Sequence, residues 1–192
     1  MKRAIFWRSA GTAVALLLVG GAAWADTHAI QRSGYWTAFG GTDDAGERLC
    51  GIVATGEEGR VFTIKRWADQ DHFTLQIFKE SWRIPKGVEI PVRLRFDNME
   101  TWSALADALP PDGIALTVAD NRGEAFLREF AMASRFEMSF PEGNETDWSG
   151  NLTGSAAITM AFLDCVLKLN RGTQPFGSGN RKPGASQPFG NR

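Results

Sequence analysis

The 192-residue sequence predicts a mainly-β domain of short antiparallel strands, closed as a sandwich or a barrel. Three observations predict it. Apolar and polar residues alternate through most of the first half of the chain; clusters of Gly, Asp, Asn and Pro interrupt the runs; and few stretches carry helical spacing instead.

The chain opens with Lys2, Arg3 and Arg8, an apolar run over 12–19, and the small-residue triplet Ala23, Trp24, Ala25. This order predicts an export signal cleaved after Ala25. The run falls short of the roughly 20 apolar residues that span a bilayer, so a periplasmic or secreted chain with no transmembrane span is expected. Alternation then predicts strands around 35–39, 49–53, 61–67, 73–77, 88–90, 92–96, 114–118 and 135–140. Turn residues at 43–46, 56–59, 85–87, 97–98 and 110–113 separate them. The Ala-rich stretch 102–109 predicts one or two helical turns, and 123–132 a short helix with Phe126, Leu127 and Phe130 on one side. Residues 156–169 predict a longer helix, N-capped by Ser155, with Met160, Leu163, Val166 and Leu167 at helical spacing. It is apolar nearly all round as far as Lys168, which predicts a buried helix. The tail from Arg171 repeats Gln-Pro-Phe-Gly at 174 and 187 and has little to bury, so disorder is expected there. The organisation expected is a signal over 1–25, one domain over 26–170 and a basic Gly/Pro-rich tail over 171–192.

Charge narrows the partners. The whole chain carries a formal net charge of −1. The signal holds Lys2, Arg3 and Arg8, and the tail holds Arg171, Arg181, Lys182 and Arg192, without a single acid in either. The domain between them is therefore at about −8, which disfavours nucleic acid, whose binding rests on phosphate neutralisation. The mature chain has two cysteines, Cys50 and Cys165. In an oxidising compartment two such thiols predict a disulfide, worth about 5 kcal/mol for a loop this long; two separate buried thiols are the alternative.

Catalytic and metal motifs are absent. His28 and His72 are the only histidines and read as ordinary surface residues. No zinc, EF-hand or H-E-x-x-H pattern occurs, and Ser155 lacks the G-x-S-x-G elbow. No metal, cofactor or catalytic residue is therefore assigned. Asp43, Asp44, Glu47, Glu57 and Glu58 bracket the Cys50 strand and are the acids a hydrolase would use, although loops between strands are ordinarily charged. Trp36, Trp67, Trp82, Trp102 and Trp148 are expected in the core, or as an exposed pair lining a ligand groove. Phe176 and Phe189 of the repeat are candidate anchors for a partner.

Trp36 upstream of Cys50, the Ile-Pro-Lys-Gly-Val turn at 84–88 leading into Val-Arg-Leu-Arg-Phe-Asp at 92–97, and Leu-Thr-Gly-Ser at 152–155 followed by Phe-Leu-Asp-Cys at 162–165 occur in this order across most of the domain. Together they resemble the invasion-associated locus B family of exported bacterial proteins. The resemblance implies an antiparallel immunoglobulin-like β-sandwich in the periplasm or outer envelope, and no enzymatic activity. The expected function is a non-enzymatic exported protein that binds an envelope component or another protein. A cell-envelope hydrolase using the loop carboxylates, or a host-directed virulence factor, is the alternative.

Overall fold

The computed structural model describes residues 26–171. The predicted cleavage after Ala25 and the anchors Phe176 and Phe189 lie outside the described residues. The elements run β1 (Asp26–Ser33), β2 (Trp36–Thr42), β3 (Arg48–Thr55), β4 (Arg60–Trp67), β5 (Phe73–Lys79), β6 (Glu89–Phe96), β7 (Trp102–Leu109), β8 (Gly113–Val118), α1 (Asp120–Met132), β9 (Arg135–Ser139), β10 (Trp148–Asn151) and α2 (Ser155–Arg171).

All ten strands pair antiparallel in one sheet, in the order β1-β2-β3-β4-β5-β8-β7-β6-β9-β10. Two separately bonded sheets, as a sandwich would have, are not what the ladder forms. The sheet instead curls back on itself. In a flat sheet β4 and β9, five strand spacings apart, would stand about 24 Å from each other. Yet the rings of Phe62 on β4 and Phe136 on β9 have centroids 5.1 Å apart. Accumulated right-handed twist makes such curling the usual outcome for sheets of this width.

The helices occupy the concavity and its flank. Phe130 of α1 meets Trp36 of β2 at 4.8 Å and Phe96 of β6 at 6.2 Å, so α1 is packed between the two halves of the sheet. α2 lies against β1, β2, β3 and α1, and the Cys50–Cys165 disulfide joins it to β3 across a Cα separation of 6.0 Å. α2 is not buried all round. Ile158, Phe162 and Val166, one helical turn apart, face the core, while Met160 and Leu167 are exposed, Met160 at 64%. The cap expected of Ser155 is also not made, because its buried hydroxyl donates to the Ala131 carbonyl at 3.5 Å.

Residues 102–109 form a strand rather than helical turns. Period two places Trp102, Ala104, Ala106 and Ala108 on one face, and pairing with β6 overrides the helical preference of alanine. His28, expected in a loose start, lies exposed on β1, and His72 precedes β5 beside Asp71. Among the described residues no helix is long and apolar enough to cross a membrane.

Candidate functional site

The curl brings the two ends of the sheet together in a seam. β2 and β10 stand eight strand spacings apart in the sheet order, yet the indole N–H of Trp36 donates to the Asn151 carbonyl at 3.0 Å. Beside it the β1–β2 turn fits against the β10–α2 loop. Gly34 (φ 58°) and Gly154 (φ 93°) both take positive φ, and a Cβ on either would strike the backbone of the other segment, at Thr153 and Ser33 respectively. Glycine is needed here for conformation and for close approach alike.

A second set of contacts ties β4 and β5 to the far end of the sheet through Glu145, in the loop before β10. Lys79 Nζ reaches its two carboxylate oxygens at 2.8 and 3.1 Å. The indole N–H groups of Trp82 and Trp148 donate to it at 2.9 and 2.8 Å. Arg60 sits 3.7 Å away and lies over the Trp148 ring at 5.0 Å, and Glu58 joins both Arg60 and Lys79. The Lys79 and Glu145 side chains are only 12% and 17% exposed. Burial pushes the Glu145 carboxyl up, but the bonds from Lys79, Trp82 and Trp148 together outweigh it and hold the group down at about 2. The bond to Glu145 raises Lys79 in turn. Both groups are thus held charged, and Glu145 has no proton to donate near neutral pH.

Arg60 and Trp148 of this network line a cleft of about 490 Å³ together with Tyr35, Phe62, Phe136 and the acids Glu57 and Asp147. Tyr35 stands at its rim with 70% of its surface exposed. The buried Nε of Arg60 has no hydrogen-bond partner among the described residues.

The loop acids of the hydrolase alternative do not converge. Asp43 accepts from the Trp67 indole and from the backbone N–H groups of Ala45 and Glu47, which lowers its pKa and fixes the β2–β3 turn. Asp43, Asp44 and Glu47 precede β3 and Glu57 and Glu58 follow it, so its length, about 23 Å, separates the two groups. Among the described residues no three His, Cys, Asp or Glu side chains are placed to hold a metal ion. Sequence reading missed Lys79, Arg60 and Glu145. The tryptophans were the usable sign, since a buried indole needs an acceptor. All five tryptophans of the described residues have one, at Asn151, Asp43, Glu145, Glu129 and again Glu145.

No family model matches the chain, and no curated protein matches it. A solved structure, invasion associated protein B from Bartonella henselae, is similar with a TM-score of 0.42 and 12% identity, covering 72% of this chain and 96% of that one. At that TM-score and identity the likeness is distant.

Proposed function

We propose that this chain is an exported, non-enzymatic protein of the bacterial envelope that binds an envelope component, protein or glycan, in the cleft beside the seam. The observation that carries this reading is the chemistry of the cleft. An exposed Tyr35 lines it together with the buried rings of Phe62, Phe136 and Trp148, while Glu57 and Asp147 give its rim negative charge; the neighbouring Glu145, Lys79 and Glu58 neutralise one another within the fold. Tyrosine offers contact area at small entropic cost. The predicted signal and the disulfide support export.

The test is co-sedimentation of the mature chain with purified peptidoglycan and with outer-membrane vesicles, before and after Tyr35→Ala. Binding to either that falls at least tenfold in the variant supports the cleft. Unchanged binding places the contact elsewhere. Release of sugar reducing ends or of free fatty acid from the same samples would return the hydrolase reading. Mass spectrometry of the periplasmic protein should give an N-terminus at Asp26, whereas an intact leader in the membrane fraction would remove the export step.

A further inference from the structure

The sheet also opens at a second place, far from the seam in strand order. β6 and β7 pair from Glu89↔Asp107 to Leu94↔Trp102, and β5 and β8 pair from Phe73↔Val118 to Phe78↔Gly113. β7 and β8 join each other only at Asp107↔Ala115, Ala108↔Ile114 and Leu109↔Gly113. Past those pairs the strands part, leaving a slot between residues 102–106 and 116–118. Ala104 shares a face with buried Ala106 by the period of two, yet it is exposed. The slot is therefore a mouth that opens onto the inner face of the sheet.

Behind it lies a cavity of about 140 Å³ walled by the buried side chains of Leu75, Val92, Leu94, Leu116 and Phe126. Ser103 and Thr117 also lie in its lining, and the charge there is that of Arg122 at the mouth. The exposed Arg122 guanidinium lies 4.4 Å from the centroid of the Trp102 ring, whose indole N–H is held by Glu129 at 2.6 Å. Stacking is the contact that Arg122 makes; it has no carboxylate partner among the described residues. A largely apolar pocket with a few polar groups is the usual form of a small-molecule site.

Size and charge then select the ligand class. An apolar cavity of about 150 Å³ accommodates benzene, so this one suits a body of about six carbons. A planar guanidinium presents paired donors that match a carboxylate. We propose that the β7–β8 slot binds a small monocarboxylate with an apolar body of about six carbons, a single ring or a short chain. The body enters the cavity and the carboxylate rests on Arg122. This site is independent of the seam cleft and stands or falls separately from it.

The mature chain, with its tryptophan indoles labelled for NMR, is titrated with phenylacetate and with hexanoate. A saturable shift is expected at the Trp102 indole, with the Trp82 and Trp148 indoles unmoved. Arg122→Gln should weaken both acids by about tenfold, in keeping with loss of a charge-assisted hydrogen bond. Ala104→Phe fills the mouth from an exposed position and should abolish binding while the melting temperature and the Trp82 and Trp148 resonances stay put, which separates lost binding from lost fold. Phenethyl alcohol and hexanol, the same bodies without charge, should bind at least tenfold more weakly. Failure of both acids to bind saturably overturns the proposal, as does full binding by the Ala104→Phe protein or alcohols that match the acids. Dodecanoate binding more tightly than hexanoate would overturn it in favour of a lipid chain.

Discussion

The seam and the slot belong to one sheet and differ in what each leaves unpaired. At the seam, strands far apart in sheet order are held together by polar groups that satisfy one another: Trp36 with Asn151, and Glu145 with Lys79, Trp82 and Trp148. At the slot, neighbouring strands part, the walls are apolar, and Arg122 stacks on Trp102 without a counter-ion among the described residues. Charges neutralised within the fold contribute to stability and have little left for chemistry. A charge without a carboxylate partner at the mouth of a largely apolar cavity contributes little to stability and remains available to a ligand. The two regions should therefore respond oppositely to mutation.

The largest effect belongs to the bond that anchors the helical layer to the seam side of the sheet. Cys50 and Cys165 close a loop of 115 residues, and the doubly substituted Cys50→Ser, Cys165→Ser protein should lose about 5 kcal/mol of unfolding free energy. Urea unfolding of the mature protein measures it. A change below about 1 kcal/mol would mean that α2 is held by its packing on β2 and β3 alone.

Next comes Glu145→Ala, which strips the acceptor from two indoles and the counter-ion from Lys79. Partly exposed as Glu145 is, the loss should be about 2–4 kcal/mol, at the lower end of what a broken buried pair costs. A loss no larger than that of an average surface substitution would show that water replaces Glu145 without cost, and the seam would then be no better partnered than the slot.

Acid should act on the same group. The carboxyl titrates at about 2 in the fold against an ordinary 4.5, so its depressed value stabilises the fold above about pH 4.5. That contribution fades as pH falls toward 2 and is gone below it. Discounted for partial exposure, it amounts to about 2 kcal/mol. Stability measured from pH 6 to 2 should fall along this limb in the parent, whereas Glu145→Gln should start lower and flatten it. An identical acid limb in the two proteins would assign the transition to other carboxylates.

Much of the sheet was legible in the sequence because period-two alternation marks strands buried on one face, as at Phe73, Leu75 and Ile77. The strands that escaped lack that contrast. β7 has Ala104, Ala106 and Ala108 on one face, of which Ala106 alone is fully buried, a composition that reads as helix, and β1 is a largely exposed edge strand held by pairing with β2. The disulfide was legible because two cysteines in a chain predicted to be exported have few other fates. The curl was not, because it rests on contacts such as Trp36 with Asn151, which are 115 residues apart and match no local pattern. For the same reason Glu145 was invisible as a site residue: nothing in the sequence distinguishes it from Glu142, and only the fold brings Lys79 and two indoles to it.

The smallest effect is expected at the slot, and it is the sharpest discriminator between the regions. Arg122→Gln removes a guanidinium stacked on Trp102, at an exposed position, and leaves no carboxylate among the described residues without a partner. A cation–π contact of this kind is worth about 0.5–1 kcal/mol when solvent reaches it, and the glutamine keeps part of the packing over the ring, so the net loss should be about 0.5 kcal/mol. Urea unfolding of parent and variant side by side resolves this against the much larger loss from Glu145→Ala. A loss of 2 kcal/mol or more would mean that the fold itself consumes the Arg122 charge, as the seam consumes its own, and the contrast between the two regions would be gone.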